Sequence, residues 1–460
     1  MFKPASKKRH RSIITWKSAE KPRIEWRHAY GKTLGNVRSF IGNPGVTRKP
    51  INFKAKLPTA EILRRFFGLD QGGEEWKTWR QKAETVGAST DCSLTPGCSK
   101  HDSADDVMYY LSGKIDTSPK YKRGYTLPTA LGHLFEDLVV LCFVFLVEMY
   151  GDEGVNPKFH SCGVLYDHTL GMAWSTASLD INATGKKCSW LAWLLGLAKG
   201  IRYPWDKVTI ECKAPTNKKY SSTDADNPEE DEKLARDTHD PSLDFTAPLT
   251  YNLNGHPKDY MCQEQRQLSV SRSQLPTPEQ IASGDHFSTL PGKEYSLLLC
   301  LEVPYKKDLI TIAMQPPACR GKFPVKYYAS RMIDKEGEEQ ATIEANKPFI
   351  LKVWSTKYNK KFDDLTKKYY TDFISNYERA NHKGREPFVY THSREQVKEI
   401  KDNMPPALFK GAYEIGVIEE DLILDMYKKP TATFEITDKL STNGLPVIKI
   451  NVVYPEIDVK

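Results

Sequence analysis

Long apolar runs are scarce in this 460-residue chain: the longest, Leu138 to Val147, stops at Glu148, and a bilayer-crossing helix needs about 20 such residues. The amino-terminus is too basic and polar to hold the apolar region of a secretory signal. Both points lead us to expect a globular protein that stays inside a cell and engages no membrane. Paired cysteines are missing too. The nine cysteines, an odd number, are scattered from Cys92 to Cys319 with no C-x-x-C, which favours reduced thiols over a disulfide framework and argues against zinc or iron–sulfur sites. Cys92 and Cys98 share one Gly/Pro loop and could be ligands only if other cysteines or histidines came to meet them. There is no internal repeat and no long low-complexity tract. With 39% hydrophobic residues, the chain can bury a sizeable core in one large bilobal domain or two ordinary ones.

The net charge of +7 is unevenly placed. Residues 1–56 hold 15 Lys/Arg against 2 Glu, so the basic excess sits in this arm and the remainder is net acidic. "SKKRHR", residues 6–11, reads as a nuclear-import signal, as a phosphate contact that gains affinity by counterion release, or as a solvated tail. From Thr223 to Phe245, nine acidic residues meet two basic ones around Pro228 and Pro241, the pattern of a mobile, solvent-exposed loop. The expected organisation is a basic arm over 1–56, a core over 57–330 carrying the acidic loop 223–245, and a helical and hairpin extension over 331–460 packed on that core.

Within the core, "PTAEILRRFFGLD" and "EEWKTWRQKAETVG" predict short helices. "TALGHLFEDLVVLCFVFLVEMYG", residues 129–151, is apolar on most of its surface and ends on Gly151, as a buried central helix would. "CGVLYDHTLGMAWSTASLDINATG" and "DKVTIECKAP" read as strands of one sheet, with a helix at "SWLAWLLGLAKG" between them. "KDYMCQEQRQLSVSR" predicts another helix. "EYSLLLCLEVPYKKDLITIAM" reads as two strands joined by a turn at Pro304 to Asp308. Beyond that, basic, aromatic helices are expected around Trp354 to Arg379, and a hairpin through "STNG" from Ala432.

The chemistry centres on "VTIECKAP", residues 208–215. Strand alternation sends Glu211 and Lys213 to one face and Cys212 to the other. Opposite charges on an apolar strand are costly to bury unless they pair or meet a metal. The same E-x-K spacing recurs at Glu75-Trp76-Lys77 and Glu399-Ile400-Lys401, in helix-like polar stretches. A structural ion pair is the bland alternative at Glu211. Asp180, inside a strand of small and apolar residues, also needs a partner, and a short connection between the strands could set it beside Glu211. Two carboxylates that close repel unless a cation lies between them, and an all-oxygen site suits Mg²⁺ or Mn²⁺. Lys213 would orient a water or stabilise charge developing on phosphorus. Glu136, on the apolar helix beside Asp137, is a third candidate acid, with a helix-surface position as its alternative. Gln263 and Gln267 lie four apart on one helical face with Tyr260 a turn before; their amides could hold a water or a phosphate oxygen without adding charge.

In order, Gly132-x-x-x-Glu136, Ser178-Leu179-Asp180, Ile210-Glu211-Cys212-Lys213-Ala214-Pro215 and Gln263-x-Gln265-x-Gln267 resemble the PD-(D/E)XK nucleases of the YqaJ type, which include the phage lambda exonuclease and the herpesvirus alkaline nucleases. Trp76-x-x-x-Arg80 followed by Gly87-Ala88-Ser89 resembles the opening motif of that family. The likeness spans roughly residues 70–315. It departs from the family at Ser178-Leu179-Asp180-Ile181, where the pattern has Ser-Pro-Asp-Gly.

The resemblance implies an α/β (α+β) fold: a restriction-endonuclease-like core with a mixed central sheet flanked by helices, bilobal with helical additions. It implies that Asp180 and Glu211 bind Mg²⁺ (Mn²⁺ substituting) with the carbonyl of Cys212, that Glu136 holds a second metal or its water, and that Lys213 activates the attacking water with Gln263 beside it. Arg80, Ser89 and Ser178 would grip the 5′-phosphate of the substrate, with Tyr260 and Gln267 as further DNA contacts. The expected activity is Mg²⁺-dependent 5′→3′ exonucleolytic hydrolysis of double-stranded DNA from its free ends, in viral DNA processing and recombination. An annealing or single-strand-binding protein is an expected partner. The expected location is the host nucleus for a eukaryotic-virus protein and the cytoplasm otherwise. Two other readings stand beside it: an RNA endonuclease that degrades transcripts, and a non-catalytic nucleic-acid-binding module.

Overall fold

A computed structural model describes residues 51–71, 73–82, 84–98, 127–215, 256–306, 332–333, 339–382, 392–425 and 430–454. The arm up to residue 50, the acidic stretch 223–245 and the strand expected after Pro304 to Asp308 lie outside the described residues.

The helices that matter here are α1 (Ala60–Phe67), α2 (Glu74–Lys82), α3 (Ala88–Leu94), α4 (Leu127–Tyr150), α5 (Ser189–Leu194), α6 (Lys258–Arg272), α7 (Pro278–Ser283), α8 (Lys360–His382) and α9 (Arg394–Asn403). Six strands form the central sheet: β1 (Lys158–His160), β2 (Ile181–Thr184), β3 (Val208–Lys213), β4 (Tyr295–Glu302), β5 (Phe349–Lys357) and β6 (Ala407–Gly416). They lie side by side in that order, antiparallel except for the parallel pair β3 and β4. A parallel pair needs a long return, and the connection from β3 to β4 contains α6. The result is the expected mixed sheet with helices against it.

Alternation along the strands divides the core. Val208, Ile210 and Cys212 of β3 join Leu297, Leu299 and Leu301 of β4 and Leu351 and Val353 of β5 in one cluster with α4. Leu298 and Cys300 of β4 point the other way, into a cluster with Met261 of α6, Trp354 and Ala407. α4 is apolar all round because protein surrounds it. By length and composition Ala130–Tyr150 could cross a membrane, but 78% of its most apolar window is buried inside the fold. It ends where Gly151 N–H donates to the Val147 carbonyl at 2.8 Å, at a spot where a Cβ would stand 2.4 Å from that oxygen.

Two expectations need correction. Trp354 lies in β5, not in a helix: "FILKVWSTK" is buried along nearly its whole length between β4 and β6, and α8 starts only after Asn359, whose side chain caps it by accepting from Phe362 N–H at 3.0 Å. Residues beyond 330 therefore supply two strands of the central sheet in addition to the hairpin Thr431–Leu440 with Pro446–Val453. The strands of "CGVLYDHTLGMAWSTASLDINATG" also do not share one sheet. Ser175–Ala177 pairs with Leu165–Tyr166 on one side and Val86–Gly87 on the other in a small three-stranded sheet, while Ile181–Thr184 is β2. The chain changes sheets through a bend at residues 178–180.

Candidate active site

That bend positions the first acid. Ile181 of β2 pairs with Ile210 of β3 in an antiparallel ladder, which sets Asp180, one residue before β2, opposite Glu211. Asp180 is thus at the mouth of the strand and not inside it, and the bend forms with Leu179 and Ile181 where the resembled pattern has proline and glycine. The Asp180 Oδ2 accepts from the Cys212 backbone N–H at 2.9 Å. Burial first, then the charges of Glu211 and Glu136, hold the Asp180 carboxyl well above the usual carboxylate range, against the opposing pull of Lys213.

Glu211 is fully buried on the α6 side of the sheet. Three donors satisfy it: Lys213 Nζ to Oε1, Gln263 Nε2 to Oε1 at 2.6 Å, and Gln267 Nε2 to Oε2 at 2.7 Å. Gln267 also donates to the Ser178 carbonyl at 3.2 Å, tying α6 to the bend. The four-residue spacing on α6 puts both amides on the sheet side, as the sequence predicts. Gln265 faces elsewhere and bonds Thr356 and the Lys357 carbonyl on β5. Lys213 Nζ lies 5.5 Å from the centre of the Tyr260 ring. Burial works against its charge, but Glu211, then Asp180, outweigh it and raise the Lys213 pKa above its ordinary value. In this arrangement its neighbours favour the charged ammonium form.

Glu136 lies close enough to Asp180, Cys212 and Lys213 for its charge to act on them, which sets it on the side of α4 toward the end of β3 and not on a remote helix surface. Its carboxylate lies 3.7 Å from His133 Nδ1 one turn before it, and α4 passes close to the end of β3, a Cβ on Gly132 standing 3.8 Å from the Ala214 carbonyl. Cys212 directs its side chain into the apolar core, and only its backbone belongs to the site.

The phosphate-gripping candidates are less concentrated. Val86–Gly87 runs parallel to Ser175–Ala177, so the exposed Ser89 at the start of α3 is carried toward the segment that ends in Ser178. The Arg80 guanidinium stacks 4.7 Å over the Trp76 ring on α2, and burial lowers its pKa. The other E-x-K sites are structural. Glu75 pairs with Arg65 at the surface, and Glu399 accepts from the Tyr369 hydroxyl on α8.

The donor set suits a small, hard cation. Asp180, Glu211 and Glu136 outnumber the Lys213 ammonium, and burial first, then the two neighbouring carboxylates, raise the Asp180 pKa; a divalent ion would offset that cost. Among the described residues, no group of three or more His, Cys, Asp or Glu side chains is placed to hold a metal ion, so a bound Mg²⁺ would have to draw most of its ligands from waters and substrate phosphates.

Sequence reasoning missed the support behind α6. Arg266, buried, donates to Asp91 at 2.5 Å and Asp167 at 3.4 Å, ion-pairs with Asp363 at 3.7 Å, and stacks on Tyr370. Glu264 accepts from Ser296 of β4 at 2.8 Å and contacts His256 at 2.7 Å. These partners are scattered from Asp91 to Tyr370, so no local pattern pointed to them.

No protein-family model matches the chain, and no curated protein matches it. Among solved structures, an alkaline exonuclease (LHK-Exo) from Laribacter hongkongensis superposes over 67% of this chain and 93% of its own, at 11% sequence identity and a TM-score of 0.31. At that score the likeness carries no argument, and the mixed α/β architecture stands on the sheet and helices described above.

Proposed function

We propose that this chain is a divalent-metal-dependent nuclease that hydrolyses phosphodiester bonds in double-stranded DNA, entering at free ends and degrading 5′→3′. The observation that supports it is the convergence of Asp180 and Glu211 from separate sequence segments onto adjacent strand positions, with Lys213 and two glutamine amides around Glu211. A buried ion pair alone would need neither the second carboxylate, which raises its cost, nor both amides.

Bound Mg²⁺ would supply Lewis-acid charge to the scissile phosphate. Asp180 and Glu211 would hold it, with Glu136 on the α4 side. The Lys213 ammonium, kept charged by its neighbours, stabilises negative charge accumulating on phosphorus. Gln263 and Gln267 fix Glu211 in one rotamer and can turn a spare lone pair or N–H toward water without changing the net charge. Ser89, Ser178 and Arg80 are assigned to the substrate's 5′-phosphate.

The test is digestion of an end-labelled, 5′-phosphorylated duplex with and without Mg²⁺, beside a structured single-stranded RNA. Metal-dependent release of nucleotides from the labelled 5′ end is expected. Cleavage of the RNA alone would transfer the site to a ribonuclease, and no Mg²⁺ or Mn²⁺ uptake together with intact binding would leave a non-catalytic module.

A further inference from the structure

Apart from Lys357 at the far end of β5, every charged residue of β3, β4 and β5 lies on the α6 face of the sheet: Glu211 and Lys213 of β3, Glu302 of β4 and Lys352 of β5. Their neighbours on the opposite face, Cys212, Leu301, Leu351 and Val353 among them, belong to the apolar core around α4. The register sets the two lysines at one level. Lys213 and Lys352 are both paired with Cys300, from its two sides. Two strand spacings, about 10 Å in all, therefore separate their backbones. Cys300 between them packs with Tyr260, whose ring lies 5.5 Å from Lys213 Nζ. Glu302 stands two residues beyond Cys300, at the end of the sheet where β3 delivers Lys213, and its carboxylate ion-pairs with Lys352 Nζ at 3.2 Å. The Lys352 side chain is 8% exposed and that of Glu302 22%, so the pair opens to solvent at the glutamate end. An ion pair this deep costs more in desolvation than two apolar residues would, and the stability of the sheet gives no reason for it.

We infer that Lys352, oriented by Glu302, binds a backbone phosphate of the DNA strand next to the phosphate that Lys213 faces. This rests on the nuclease reading above and extends the path of the substrate from β3 across β4 to β5. Two long, flexible stems rooted about 10 Å apart can settle on consecutive phosphates of one strand. Glu302 has a definite part in this: it holds the ammonium in one place ahead of binding, so less side-chain freedom is lost when the phosphate arrives. The contact is to the backbone and not to a base. Lys352 therefore supplies affinity and register but no sequence preference, and it takes no part in making or breaking bonds.

The test is the salt dependence of duplex binding by the full-length protein, read by fluorescence anisotropy with a 5′-phosphorylated duplex from about 50 to about 200 mM KCl. EDTA is present, so nothing is cut. Each phosphate contact adds about 0.9 to the slope of log affinity against log salt. Lys352→Met should flatten the slope by about that much, and its deficit against wild type should shrink roughly 3.5-fold across the range. Lys352→Arg should keep the wild-type slope. So should Lys360→Met, which removes a lysine from an exposed pair with Asp364 beyond the far end of β5. Where a lone Glu302 prevents the single variant from folding, Lys352→Met/Glu302→Gln leaves no unpaired buried charge and should show the same flattening. An unchanged slope in a folded protein lacking Lys352, an equal loss in Lys360→Met, or no duplex binding by wild type would each overturn the proposal. Because the slope is read without cleavage, a wild-type protein that binds duplex but fails to digest it with Mg²⁺ would remove the nuclease reading, and the slope would still decide Lys352.

Discussion

Lys213→Met removes the ammonium that faces Glu211 and Asp180 while keeping most of its apolar stem. A unit charge about 4 Å from charge developing on phosphorus, at an effective dielectric constant of about 20, is worth roughly 4 kcal/mol. At about 1.4 kcal/mol per decade, that corresponds to a loss on the order of a thousandfold in rate. The side chain of Lys213 is only 23% exposed, so screening by solvent leaves most of this effect in place. The matched control is Glu75→Ala, which alters an E-x-K of identical spacing whose glutamate pairs with a largely exposed Arg65; its rate should stay within about twofold of wild type, as surface pairs contribute little. The assay is single-turnover release from end-labelled duplex at saturating Mg²⁺, with duplex affinity measured separately by fluorescence anisotropy so that lost binding is not mistaken for lost chemistry. A folded Lys213→Met protein within tenfold of wild type, or equal losses in the two variants, would refute the assignment of this strand as the reacting one.

Asp180→Asn should raise the melting midpoint of the metal-free protein. The folded-state pKa of Asp180 lies above its unfolded value, so the ionised group costs stability once pH exceeds the unfolded pKa, and the amide removes that cost. The same variant should lose the Mg²⁺-induced thermal shift; an unchanged shift would place the ion elsewhere. Lys293 is fully buried, donates to the Ala183 and Val208 carbonyls at 2.8 and 3.0 Å, and burial lowers its pKa to about 7. Because that value lies below the unfolded one, stability should climb as pH rises from about 7 toward 10, by on the order of a few kcal/mol. Denaturant titrations across this range should flatten in Lys293→Met, and parallel slopes in the two proteins would contradict the reasoning. Gly163→Ala should destabilise by on the order of 2–3 kcal/mol, since the new methyl would stand 2.3 Å from the Phe66 carbonyl and 2.7 Å from that of Leu69; an unshifted urea midpoint would show that α1 yields freely.

Features with a local period were legible from sequence. The apolar face of α4, the alternation of β3 and the four-residue spacing of Gln263 and Gln267 each follow from neighbours in the chain, and each is where the pattern put it. The meeting of Asp180 with Glu211 was legible as a need, because a carboxylate among small apolar residues requires a partner. β5 was hidden by composition. Its lysines and aromatics run straight into α8, and only pairing on both sides makes an extended strand of them. β6 carries a bulge where Gly411 adopts a φ of 132° and the register slips between Val353 and Trp354, which blurs its alternation. Arg266 gave no signal at all, since its partners come from distant segments.

The back of α6 bears on how this protein could change its preferences. Gln263 and Gln267 grip Glu211 on one side, while Glu264, Gln265, Arg266 and Ser269 are bonded to β4, β5, α3 and α8 on the others. A helix anchored around its whole circumference has no low-energy way to slide or roll. If the proposed nuclease reading holds, retuning toward a different polymer would proceed through residues outside α6, and a substitution as remote as Asp363 would lower turnover without touching the substrate.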